Sequence, residues 1–102
     1  MAGLDHVHVS RDDLGALCRQ HRIRRLSLFG SVLREDFSAT SDVDVLVEFE
    51  AGVRVTFFSL ARIEDALSEL FGRRADVHVS RSLSPYLRER VLSHVRELYV
   101  AA

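Results

Sequence analysis

Between Asp42 and Phe49 the chain reads DVDVLVEF, and this octapeptide constrains the fold more than any other stretch. Val43, Val45, Val47 and Phe49 alternate with Asp42, Asp44, Leu46 and Glu48. That is the period of a strand whose two faces meet different surroundings. Such a strand needs neighbours, and three segments supply them. Leu26 to Phe29 is short, apolar and ended by Gly30, a strand running into a turn; Ala75 to Val79 reads as a third strand; Glu97 to Val100 reads as a short edge strand. Elsewhere the apolar period is helical. Leu14, Leu17, Cys18 and His21 follow Ser10, with Asp13 as a near capping box, and predict a helix over about residues 11–22. Leu60, Ile63, Leu67 and Leu70 predict a second helix, stopped by Gly72. Ser84 and Pro85 form a cap and first turn, with Leu87, Val91 and Val95 on one helical face. Strands alternating with helices predict an α/β (α+β) fold, a small sheet flanked by helices.

The chain has 102 residues, enough for one domain that buries roughly 65% of its unfolded surface. We expect a single domain over residues 1–102, with residues 1–9 a flexible or short-strand N-terminus. At 47% apolar and 28% charged residues the composition excludes disordered and fibrous classes. No apolar run approaches the ~20 residues of a membrane span, and the start MAGLDHVHVSRDD lacks the blocks of a signal peptide. A cytoplasmic protein with no membrane partner is the expectation. The single cysteine, Cys18, excludes an intramolecular disulfide and a cysteine-based zinc site. With 14 basic against 15 acidic residues there is no overall field to gather nucleic acid, so no direct nucleic-acid partner is expected. Every basic residue is arginine, which excludes the P-loop lysine and any Schiff-base lysine. The pentapeptide VHVSR occurs at Val7 to Arg11 and at Val77 to Arg81, an offset of 70 residues that is no solenoid period and is read as coincidence. His6 and His8 are spaced like metal ligands but have no acidic or cysteine partner beside them.

The chemistry lies in LSLFGSVLREDFSATSDVDVLVEF, from Leu26 to Phe49. Asp42 and Asp44, two apart on a strand, leave one face with Cα atoms about 6.7 Å apart. Two such carboxylates repel each other and call for a divalent cation, and hard oxygen ligands beside a phosphate favour magnesium. Upstream, Gly30 and Ser31 stand where a strand ends and a short helix begins. Free N–H groups there attract anions, glycine allows close approach, and the serine hydroxyl adds a donor. Alone, a GS pair is common at strand ends, and a lone D-x-D is more often a solvated face than a metal site. Together, phosphate at Gly30 and Ser31 and metal at Asp42 and Asp44 make one site.

That combination, with Arg34, SDVDVLVEF, GRRADV and LSPYLRERV in order, resembles the nucleotidyltransferase superfamily related to DNA polymerase β, and within it the minimal nucleotidyltransferases (MNT) that act as antitoxins beside HEPN-domain toxins. The resemblance spans almost the whole chain and implies the polymerase β-like core, a small mixed sheet. It implies that Gly30 and Ser31 grip phosphate, that Asp42 and Asp44 bind metal, and that Asp76 is the third metal-binding and catalytic carboxylate. The implied reaction transfers AMP from ATP, with two Mg2+ ions, to a hydroxyl, a tyrosine in the antitoxin branch, of a partner HEPN ribonuclease. Arg34 either reaches a phosphate or pairs with Glu35 or Asp36. Where such proteins read V-D-L-V this chain reads Ala75-Asp76-Val77-His78, setting a histidine on the face of the third carboxylate. Two further readings stand beside the enzyme: a non-catalytic antitoxin that neutralises the toxin by occlusion, and a free-standing enzyme acting on a small molecule.

Overall fold

The computed structural model describes residues 9–29, 42–82, 84–86, 89 and 95–101. Helix α1 (Arg11–Gln20) starts where the sequence placed it, with the Ser10 side chain accepting from the Asp13 N–H at 3.3 Å. It ends two residues before the expected boundary. His21 caps it, and Arg22 turns the chain with a left-handed φ of 57°. The Arg22 carbonyl then accepts from Glu50 N–H at 3.0 Å, which ties this turn to the end of the central strand.

Strand β1 (Ile23–Phe29) is longer than the expected Leu26 to Phe29. The ladder between β1 and β2 (Val43–Phe49) shifts between Ile23 and Arg25, so one extra residue on β1 changes which face each side chain takes. Ile23 thereby joins Leu26 and Leu28 in the core, while the arginines between them broke the apolar pattern in the sequence. Helix α2 (Phe57–Phe71) opens on a Thr56/Ser59 capping box and closes on Gly72 at φ 72°. It returns the chain for β3 (Ala75–Val79), which lies parallel to β2. Ser80 opens a short 3-10 turn at Ser80–Ser82, and β4 (Arg96–Val100) pairs antiparallel with β1 as the expected edge strand. Of the last expected helix, Pro85, Tyr86 and Glu89 are helical, Leu87 and Val91 lie outside the described residues, and Val95 belongs to the approach to β4 instead.

The sheet is mixed, in the order β3-β2-β1-β4. One face carries Leu26, Leu28, Val43, Val45, Val47 and Ala75, all buried with Leu14 and Cys18 of α1 and Ile63, Leu67 and Phe71 of α2. Burying each of the valine, leucine, isoleucine and phenylalanine side chains is worth about 1.5–3 kcal/mol, and this single layer against two helices is the core. No helix among the described residues is long and apolar enough to cross a membrane.

The edge strand β3 is held by α2. Its outward N–H groups at Ala75 and Val77 donate to Ser68 Oγ at 2.9 Å and Glu64 Oε2 at 3.1 Å. These bonds satisfy donors that an edge would otherwise leave for water, and they fix β3 in place beside β2.

Candidate active site

The valines of β2 point into the core, so alternation sends Asp44, Leu46 and Glu48 to the second face of the sheet. The register supplies their neighbours. Asp44 stands opposite Asp76 and Leu46 opposite His78 on parallel β3, while Phe29 stands opposite Asp44 on antiparallel β1. Three ligand-capable side chains therefore converge. Asp44, Asp76 and His78 each offer one ligand atom, all within 4.8 Å of one another. His78 Nε2 lies 3.2 Å from Asp76 Oδ2 and 3.6 Å from Asp44 Oδ1. The Phe29 ring meets the imidazole in a T-shaped contact, centroids 5.2 Å apart at 71°. At the other end of this face Arg25 lies between Glu48 and Glu97, at 3.7 and 3.3 Å.

The structure treats the site residues read from sequence unequally. Asp44 and Asp76, 32 positions apart in sequence, are brought side by side. Asp42 stands immediately before β2, exposed, and does not join the cluster. The β2–β3 pairing begins one residue later, where Val43 N–H donates to the Arg74 carbonyl at 2.8 Å. Gly30, Ser31 and Arg34 lie outside the described residues, as do His6 and His8. Sequence reading placed His78 on the face of Asp76 without counting it among the site residues, and it read Phe29 only as the end of a strand. Both residues reach Asp44 through strand neighbours, and which strands are neighbours is not written in any local period.

The donor set fits a divalent cation. Two carboxylates in register on adjacent strands repel each other, and a cation between them removes that cost. Their side chains remain 26% and 48% exposed, so hydrated ions can reach them. Within the described residues nothing else groups three such ligands.

Comparison with known proteins agrees with this geometry. The nucleotidyltransferase domain family matches residues 14–98. A candidate protein adenylyltransferase of Methanocaldococcus jannaschii is 38% identical over 74 residues, which are 72% of this chain and 77% of that one. Protein adenylyltransferase MntA of Thermococcus cleftensis is 34% identical over 73 residues, 72% of either chain. A solved structure of a candidate minimal nucleotidyltransferase is 41% identical, with a TM-score of 0.69 over 83% of this chain and 85% of that one. Two toxin-antitoxin complexes share the fold at lower identity. One, with AMP-PNP, gives a TM-score of 0.72 at 19% identity over 91% of this chain and 75% of that one. The other joins a tri-AMPylated Shewanella oneidensis HEPN toxin to an MNT antitoxin, with 0.64 at 18% over 89% of this chain and 70% of that one. The mixed sheet, the paired carboxylates and a match over most of the sequence together make this chain a member of the nucleotidyltransferase domain family.

Proposed function

We propose that the protein is an antitoxin that transfers AMP from ATP to a tyrosine hydroxyl of a HEPN-domain ribonuclease and so neutralises it. The observation that carries this reading is the pair Asp44 and Asp76, set in register on adjacent parallel strands with ligand atoms close enough to share a cation. Relatives named protein adenylyltransferases, and a fold shared with an antitoxin bound to an AMPylated HEPN toxin, support the choice of reaction and acceptor.

Asp44 and Asp76 hold the metal, and Asp42, at the mouth of β2, completes the set of carboxylates around it. These residues would hold magnesium, two ions in this reading, and the bound metal would supply Lewis-acid stabilisation of the charge that builds on the phosphate. Gly30 and Ser31 grip the triphosphate through backbone N–H groups and the serine hydroxyl. Arg34 adds charge to that grip. Asp76 takes the proton of the acceptor hydroxyl, the hydroxyl oxygen bonds to the α-phosphorus, and the bond to the β-phosphate oxygen breaks to release pyrophosphate. The protein works in the cytoplasm in this reading, with the toxin bringing much of its own binding surface.

The test is incubation of the protein with its co-expressed genomic neighbour, ATP and magnesium, followed by intact mass and peptide mapping. The expected result is a gain of one or more AMP groups on a tyrosine of the neighbour, with loss of its toxicity. Neutralisation without any mass gain would replace transfer by occlusion. A neighbour that neither binds nor is modified would leave a free-standing enzyme as the better reading.

A further inference from the structure

We propose that His78 is itself a metal ligand of this site, through Nε2, and that it turns an oxygen-only site toward borderline divalent cations such as manganese, cobalt(II) or zinc. The inference rests on the metal-dependent reading above and concerns which ion that site prefers.

His78 Nε2 is withdrawn from solvent, yet among the described residues it makes no hydrogen bond. A nitrogen in that condition is costly unless something satisfies it. It lies 3.2 and 3.6 Å from oxygens of Asp76 and Asp44, without the alignment of a hydrogen bond to either. These separations are close to the edge of an octahedron, about 3.0 Å for metal–ligand distances near 2.1 Å, so a cation can meet all three atoms after small movements.

The imidazole is also held in that pose. Phe29 packs edge-on against the ring from β1. The backbone beneath it is anchored by the bond from Val77 N–H to Glu64 Oε2, one residue before His78. Preorganisation of this kind suits a ligand and is unnecessary for a solvated edge histidine. Carboxylates alone favour magnesium, whereas a neutral imidazole adds affinity that rises from manganese through cobalt to zinc. The preference of the site is therefore set by the residue in which the ADVH segment departs from the apolar pattern of a buried strand.

The experiment is calorimetric titration of the purified full chain, without nucleotide, with MgCl2, MnCl2 and CoCl2. Wild type, His78→Gln, His78→Leu and Asp44→Asn are compared after circular dichroism confirms folding. The expected result is that both His78 variants lose about tenfold or more in cobalt and manganese affinity while magnesium affinity changes less than about threefold. Asp44→Asn loses all three ions. As a check free of any substitution, the His78 Nε2 resonance of the 15N-labelled wild type shifts on addition of ZnCl2. Unchanged cobalt affinity in the His78 variants, or an unmoved Nε2 resonance, overturns the proposal. If Asp44→Asn nevertheless loses the ions, the metal-dependent transferase reading survives that failure. If the wild type binds no divalent cation at all, both readings fall together.

Discussion

Asp44 and Asp76 repel each other across one strand pair and contribute nothing to the core, whose side of the sheet is filled by Val43, Val45, Ala75 and their neighbours. Asp44→Asn and Asp76→Asn are therefore expected to leave thermal stability unchanged or raise it by up to about 1 kcal/mol. Transfer activity should fall at least ~100-fold in both. Differential scanning calorimetry and the mass assay on the same samples check the two halves together. Asp42 differs, since it lies outside the cluster; Asp42→Asn should lose transfer while retaining more metal affinity than Asp44→Asn, which titration of the free protein measures. At this scale Asp76 was read only through the family resemblance, whereas Asp44 was legible because strand alternation shows which face a side chain takes. The nearness of His78 was not, because it depends on the register between β2 and β3. Cys18 offers a separate test. Burial pushes its thiol from the ordinary 9.0 up to about 12. The unfolded chain thus loses this proton first, and the thiol's contribution to stability is full below pH 9 and disappears between pH 9 and 12. Urea melts at rising pH should show this loss, up to about 1.4 kcal/mol per pH unit, and Cys18→Ala should abolish that component.

Elements reveal how the ends of helices and strands position the site. Gly72 closes α2 at φ 72° with open space where a Cβ would stand, so a side chain there meets backbone strain and no clash. Gly72→Ala is expected to cost about 1–2 kcal/mol, read as a lowered midpoint in urea with an unchanged slope. Glu64 acts on β3 from α2, by accepting from Val77 N–H between Asp76 and His78. Glu64→Ala should cost about 1–3 kcal/mol and speed hydrogen exchange at Val77, whereas Glu64→Gln, which keeps an acceptor oxygen, should retain most of the protection. Exchange at Val77 that is equal in the two variants would show that this bond does not hold the strand. Helix α1 and strands β2 and β3 were readable because caps and strict periods mark them. The start of β1 was not, since an extra residue in the ladder and two arginines hid its alternation. The start of α2 was missed for a related reason: its capping box uses Ser59 where the usual signature has a long acid or amide.

The whole molecule divides its labour between the two faces of one sheet. The helices and the apolar alternates of the strands fill one face, and the register of the mixed sheet collects acids and an imidazole on the other. The fold class was legible because the alternation of strand and helix periods leaves few other architectures. The site was legible in part: local spacing yields residues on one strand, whereas the cluster is assembled from two parallel strands joined by the α2 crossover. The central claim is that this acidic pair performs nucleotidyl transfer to a protein hydroxyl. Its most direct test is the intact mass of the co-expressed genomic neighbour after incubation with ATP and magnesium, measured with wild type and with Asp76→Asn. The account predicts added AMP with the wild type and none with the variant, although the two bind the neighbour equally. Equal AMP addition by Asp76→Asn would contradict it.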